Sequence, residues 1–526
     1  MSNSVQALQQ DYDECPYFSF AYGQSAPDHL AAVAHLFGLD APDVATARLL
    51  ELGCASGGNM IPFAVRHPDA RVIGIDLSAA QVGEGRRRIA ALQLKNIELL
   101  QRDLTSISED FGEFDYIVCH GVYSWVPEVV QQAILRICRL NLAPRGIAYV
   151  GYKTYPGWKA HEIVRDAMLL RVGEQSDGRQ RVALGRGMIE FLHQHARRNS
   201  VLAAAIEQDW PTIKSGDDAY LVHDFMEACN APCYFREFAG RAADHGLVYL
   251  GDADLPTMFA SNYGPDVAGP VLKECGHSQL QLEQFLDFVS DRSFRRTLLV
   301  HHERQPDIRY QLNDARLRRL QLAALLTCTE PHAAIDTTPH AWRTHSGNTL
   351  VLSDPVAKLA ARELADTWPF TLDCDALRAA VQRQLEPEHG VTEEEVETKL
   401  MAFVSALVIQ GAGRFRLQPL PKRKGKPLVA AAARRYAQEL PAGQAVHTFN
   451  DWHEPVVLDA VAQMVLPFLD GDHTRAQLLA ILEAAVVEGR LALPGTSPDD
   501  ATPATGPALM AALGAHLDRV LTQLCA

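Results

Sequence analysis

The stretch LLELGCASGGNM, Leu49 to Met60, constrains the fold more than any other part of the chain. An apolar run, RLLELG (48–53), reads as a buried strand that ends in glycine. The following MIPFAVRH reads as a helix, with Pro62 in its first turn, where proline is tolerated. A strand that becomes a helix within a few residues needs Gly53 for a tight turn. Gly57 and Gly58 would let a ligand lie against the backbone where a Cβ would collide. Such a turn lies at the carboxyl end of its strand, where open α/β sheets bind ligands.

The pattern repeats downstream. RVIGID (71–76), IELLQRD (97–103), FDYIVCHG (114–121) and GIAYVGY (146–152) read as strands. HLAAVAHLFGL (29–39), SAAQVGEGRRRIAALQL and PEVVQQAILRICRLNL read as helices, and Ser78 with Gln81 makes a capping box for the second of these. Strands separated by helices predict a parallel, doubly wound α/β sheet. After Trp158 the pattern changes. Residues 161–310 read as mostly helical, with an irregular stretch DLPTMFASNYGPD (254–266). Residues 311–417 carry helix-period segments, LAALLTC and EEEVETKLMAFVSALVIQ, then a short β-ribbon, GAGRFRL. QPLPKRKGKP (418–427) reads as a linker, and 428–526 as a helical module interrupted by a loop at 493–507.

The 526 residues make three or four domains at ~150 residues each. A formal net charge of −15 argues against a chain-wide surface for nucleic acid or anionic membrane. PKRKGKP reads as a solvated linker rather than a nucleic-acid arm. FRRTLLVHHER (294–304) reads as an acidic-substrate contact or a helix surface. Ten scattered cysteines suit reduced thiols. Cys229 and Cys233 lie close, but no further ligands at a matching spacing accompany them, so no metal is expected. His223, Asp224 and Glu227 read as a salt-bridged surface face rather than a metal site. The N-terminus has no basic region followed by an apolar core, and no apolar run reaches ~18 residues. The expectation is a soluble, cytoplasmic protein without nucleic-acid or membrane partners.

Two nucleotide chemistries compete for the glycine turn. A phosphate loop would carry Lys-Ser/Thr after its glycines, and here Asn59-Met60 follows. A dinucleotide fold would show G-x-G-x-x-G, and G-C-A-S-G-G misses that spacing. Glu51 suits a ligand bearing an ammonium group rather than a pyrophosphate. Asp76, at the end of the next strand, can accept both hydroxyls of a ribose. Asp103 can accept from an adenine amino group, with Leu104 packed on its face. These three acids on successive strands describe S-adenosylmethionine (SAM).

The set ELGCASGGN, GIDLS and RDL resembles the class I SAM-dependent methyltransferases, whose fold is a Rossmann-like sheet. ELGCASGGNMIPFA, FDYIVCHGVYSWVP and YKTYPGWK are similar to bacterial members that carry a methyltransferase regulatory domain. YLVHDFMEACNAPCYFREFAGRAADHGLVYLGDADLP (220–256) resembles that regulatory domain itself. Some of this group are protein-lysine methyltransferases of outer-membrane proteins. The resemblance implies a SAM-binding domain with an N-terminal lid at 1–160, the regulatory domain at 161–310, a winged-helix-like domain at 311–417 and a helical module at 428–526. It also implies a possible homodimer. One departure stands out: the family shows Y-N-T before PGW, and here the run is Tyr152-Lys153-Thr154.

Methyl transfer from a sulfonium is an in-line displacement and requires no metal or covalent intermediate, only proximity, orientation and a neutral nucleophile. The cofactor set is Tyr22, Gln24, Glu51, Gly53, Cys54, Ala55, Gly57, Gly58, Asn59, Asp76, Leu77, Asp103, Leu104 and His120. The acceptor-side set is His120, Tyr123, Trp125 and Tyr152. Tyr123 and Trp125 either form a lysine channel or pack under the following helix. His120 either accepts a proton, orients the acceptor, or merely caps a strand. Tyr152, Tyr155 and Trp158 either close the pocket or anchor the helical domain. Tyr17 either contacts the methionine moiety or staples the N-terminus. The resulting expectation is a SAM-dependent methyltransferase acting on lysine side chains of a protein or peptide. The alternatives are a small-molecule or carrier-bound metabolite methyltransferase and a non-catalytic SAM-sensing interaction protein.

Overall fold

The computed structural model describes residues 18–173, 178–216, 218–330, 333–385, 391–422, 425–440, 445–491 and 507–524. Tyr17, Arg423 and Lys424 of the linker, and 493–506 of the loop lie outside them. Strands β1 (Arg48–Leu52), β2 (Arg71–Asp76), β3 (Ile97–Gln101), β4 (Phe114–Cys119), β5 (Leu142–Lys153), β6 (Leu247–Asp252) and β7 (Phe294–His301) build one sheet. Its order is β3-β2-β1-β4-β5-β7-β6. β1 pairs in parallel with β2 on one side and β4 on the other, so strand order reverses there. That reversal opens a crevice at the carboxyl edge, directly beyond the glycine turn.

Helices cover both faces, which is why β1 and β4 read as nearly unbroken apolar runs. Leu49, Val72, Val118 and Tyr149 pack into one core with the helices Pro27–Leu36, Ile61–Arg66 and Ala79–Ala91. Leu50, Leu52, Ile75, Val150 and Tyr152 pack into a second core with the helices Glu128–Leu140 and Phe235–Asp244. The Ser78 hydroxyl accepts from the Gln81 amide at 3.2 Å and starts its helix as expected.

The block 161–310 is less uniform than its sequence pattern. The helices Trp158–Val172, Gly178–His195, Val201–Ser215 and Asp218–Phe225 enclose a core of their own around Val164, Met168, Ile206 and Phe225. The rest of the block returns to the sheet as β6 and β7, both antiparallel to their neighbours. FRRTLLVHHER is therefore mainly a buried strand, not a helix surface. Two more segments depart from expectation. LAALLTC forms two short strands, Gln321–Ala323 and Leu326–Cys328, because a short apolar run carries no usable period. Residues beyond 311 share one continuous core with the first face of the sheet, Leu322, Phe403, Val465 and Leu513 included. Among the described residues no helix is long and apolar enough to cross a membrane.

A fully buried arginine in β7 shows why its sequence misled. Arg295 donates to Asp287 at 2.8 Å through both Nε and Nη2 and to Glu283 Oε2 at 3.0 Å through Nη1. Those acids sit on the helix Gln279–Val289, so the pairing locks that helix onto β7. Removing one partner of a buried ion network leaves uncompensated charge. Arg295→Met is expected to lose about 3–5 kcal/mol of unfolding free energy in denaturant titration. A loss below about 1 kcal/mol would show that the acids are satisfied without it.

Candidate functional site

The crevice beyond β1 holds a cavity of about 350 Å³. Tyr22, Glu51, Gly53, Cys54, Ala55, Asn59, Asp76, Leu77, Asp103, Leu104, His120 and Trp125 line it, so most of the expected set converges. Gly53 has φ +73°, and a Cβ there would meet Val122 Cγ2 at 2.3 Å. Asp76 accepts from the Ala55 amide at 2.8 Å and from the Ser78 amide at 2.9 Å. Both oxygens are thereby held at the cavity wall, and a carboxylate is the group that accepts both hydroxyls of a ribose diol. Asp103 accepts from the Thr105 amide at 2.9 Å and is thereby fixed at the far end of the cavity.

Glu51 is the most unusual group. It is 4% exposed, and its Oε1 accepts from Asn59 Nδ2 at 2.8 Å. Its Oε2 is buried and has no hydrogen-bond partner among the described residues. Burial pushes the carboxyl up to about 8, against the pull of Asn59 and with help from Asp76. A buried orphan acceptor beside the ribose acid fits the α-ammonium of SAM.

The Asn59 amide is oriented from two directions. Its Oδ1 accepts from the Tyr22 amide at 2.9 Å and faces His453 Nε2 at 3.0 Å. Arg66 Nη2 donates to His453 Nδ1 at 3.0 Å, which leaves the proton on Nε2. Burial and Arg66 push the His453 ring down to about 3, so it is neutral. With Oδ1 occupied by donors, the NH₂ of Asn59 must face Glu51. His453 lies in the C-terminal module, far from the glycine turn in sequence, and no motif announced it.

Several expected residues fall elsewhere. Gln24 lines a separate cavity with Trp452 and Glu454 and does not reach this one. Gly57 and Gly58 admit protein rather than ligand. A Cβ on Gly57 would sit 3.3 Å from Leu99 Cδ1, and one on Gly58 would sit 2.1 Å from the Ser19 carbonyl oxygen. Tyr123 and Tyr152 are fully buried in the second core. Tyr152 stacks on Phe238 at 4.1 Å, and Tyr123 meets Phe238 edge-on at 5.1 Å. The cause is strand alternation: successive side chains of β5 face opposite sides, so Tyr149 and Lys153 share the other face. Lys153, not Tyr152, lines the cavity. Tyr155 turns away and donates to Glu162 at 2.5 Å. His223, Asp224 and Glu227 are not a solvent face: His223 and Glu227 are buried 3.1 Å apart, and His223 and Asp224 line the cavity.

His120 stacks on Tyr22 with ring centres 3.9 Å apart, and its Nδ1 lies 2.7 Å from the Tyr149 hydroxyl. Burial, then Arg296 and Lys153, lower it to about 3. A ring so hard to protonate orients its neighbours better than it accepts a proton. Among the described residues no cluster of three or more His, Cys, Asp or Glu could hold a metal ion.

Comparison with known proteins adds three family matches. A methyltransferase domain model matches residues 49–146. A predicted methyltransferase regulatory domain matches 217–301, and the PKMT C-terminal winged helix domain matches 425–526. The last falls on the block read above as a helical module, not on 311–417. The chain is 31% identical over 512 residues to the uncharacterised protein RP789 of Rickettsia prowazekii, covering 93% of this chain and 90% of that one. It is 27% identical over 157 residues to trans-aconitate 2-methyltransferase of Methylobacterium nodulans, covering 30% of this chain and 55% of that one. Its fold matches PKMT2 of Rickettsia typhi in complex with AdoHcy, with a TM-score of 0.83 and 23% identity over 96% of this chain and 98% of that one.

A pH dependence follows from Glu51. Below its shifted pKa of about 8 the carboxyl is mostly protonated. A bound ammonium favours the ionised form, so binding expels a proton and tightens as pH rises. AdoHcy affinity, measured calorimetrically, is expected to rise by up to about tenfold per pH unit between about 6 and 8. Glu51→Gln should flatten that slope; an unchanged slope in the variant would remove Glu51 from ammonium binding.

Proposed function

We propose that this chain, which belongs to the family of RP789 and carries a methyltransferase domain, moves the methyl group of SAM onto lysine side chains of a protein. SAM supplies the methyl group as an electrophile on a sulfonium; the chain supplies binding, orientation and exclusion of water. Glu51 takes the α-ammonium, Asp76 the ribose hydroxyls, and Asp103 with Leu104 the adenine. His120, neutral and held between Tyr22 and Tyr149, puts no positive charge beside a sulfonium. Trp125 and Phe294 offer aromatic walls on the acceptor side of the cavity, which favour a cationic side chain before it loses its proton to attack.

The acceptor class rests on one observation. The likeness to PKMT2 runs through the appended modules, whereas the match to a metabolite methyltransferase covers less than a third of the chain.

Incubating the purified protein with methyl-labelled SAM and a lysate of its host tests the proposal. Label on a protein band, mapped to lysine by mass spectrometry, is the expected result. Label confined to small molecules would overturn the protein acceptor in favour of a metabolite. In the same assay Asp76→Ala should raise KM for SAM about 10- to 100-fold, the cost of hydrogen bonds to a charged acceptor.

A further inference from the structure

Lys153 is the last residue of β5, and its side chain is held in an unusual way. Its Nζ donates to Asp224 Oδ2 at 3.0 Å, and the two side chains are only 14% and 13% exposed. The same Nζ lies 4.0 Å from the centre of the Trp158 ring, 5.7 Å from Trp125 and 5.8 Å from Phe294. These groups come from five separate places in the fold. The rings are fixed: Trp158 Nε1 donates to Asn230 at 3.2 Å, and Trp125 meets Trp158 edge-on at 5.9 Å. The Lys153 amide donates to the Ser124 hydroxyl at 2.9 Å, which pins the backbone. Lys153, Asp224, Trp125 and Phe294 all line the cavity that holds Glu51 and Asp76.

Three aromatic faces and one carboxylate around a single point recognise an alkylammonium. Carboxylate and rings are both satisfied here by the chain's own lysine. We propose that this box is the binding site for the acceptor's lysine ε-ammonium, and that Lys153 occupies it as a resident competitor which the acceptor displaces. The proposal rests on the lysine-acceptor function above and names the subsite and its built-in restraint. The point between the three rings and Asp224 Oδ2 has room for one ammonium group, so occupancy is exclusive. The lysine stem has four rotatable bonds, so Lys153 can swing out without moving β5. An acceptor presented by a docked protein segment has the binding energy to displace it at low concentration; a free amine displaces it only at high concentration. Lys153 would thus set a threshold against small amines.

The probe is Nα-acetyl-lysine methylamide, titrated by calorimetry into the full chain saturated with AdoHcy. Lys153→Ala and Lys153→Asn, each shown to be folded by AdoHcy binding, should bind the probe about tenfold more tightly than the wild type. Adding Asp224→Asn should abolish the gain. Variants that bind the probe no better than wild type, or a gain that survives Asp224→Asn, would overturn the proposal. A readout in the unmutated protein covers failure of the variants to fold. Saturating probe should raise the acylation of Lys153 by an N-hydroxysuccinimide ester relative to that of the exposed Lys273 in the same sample, followed by mass spectrometry, a ratio that cancels the reagent consumed by the probe's own amine; an unchanged ratio would overturn it. Neither readout needs turnover or a protein acceptor. Probe binding without any labelled protein would therefore overturn the protein acceptor and leave the ammonium box standing, and labelled protein without probe binding would do the reverse.

Discussion

One side-chain amide, that of Asn59, decides how the cofactor crevice is arranged. Its oxygen is claimed from two sides, by the Tyr22 amide and the Ser25 hydroxyl from the N-terminal segment and by His453 from the C-terminal module. An amide so constrained cannot flip without setting three donors against its own NH₂. Its donor end therefore stays on Glu51, and Glu51 stays aimed with one oxygen into the cavity. Lid, catalytic sheet and last module meet at this one residue. The glycine turn supplies the bend, but the orientation of its acid is set by segments far away in the chain.

Buried charge holds the same junction together. Asp28 takes Arg66 and His67 from the sheet domain and Arg416 from beyond residue 311. Burial alone would raise the Asp28 carboxyl, but Arg66, the hydrogen bond with His67 and Arg416 outweigh it and hold it well below the usual carboxylate range. Arg66 also donates to the Asp451 carbonyl at 2.7 Å and orients His453, so one guanidinium serves both the ion cluster and the relay to Glu51. The appended modules are thus continuous with the cofactor site in packing and in polarity.

The sequence was most legible where one local rule suffices. The first five strands, the Ser78 cap, the switch-point crevice and the acids Glu51, Asp76 and Asp103 follow from apolar runs, turn chemistry and strand ends. Legibility failed where a single step of register or a distant partner decides. Choosing Tyr152 over Lys153 is a one-residue slip, and in a strand that exchanges the core face for the cavity face. β7 was hidden because two arginines open it, and only the acids of a neighbouring helix make Arg295 tolerable inside. Gly58 was assigned to the ligand although the lid backbone fills the space above it. His453 carries no motif; its meaning lies in a contact across 394 residues.

The contacts from His453 to Asn59 and from Asn59 to Glu51 tie the C-terminal module to the cofactor crevice, and a double-mutant cycle measures that coupling. AdoHcy dissociation constants would be measured calorimetrically for the wild type, Glu51→Gln, His453→Ala and the double variant at a single pH near neutrality. His453→Ala is expected to weaken binding in the wild-type background and to cost almost nothing once Glu51 is neutralised, a coupling of about 1 kcal/mol or more. Equal costs in both backgrounds would contradict it and leave His453 a structural residue with no line to the cofactor.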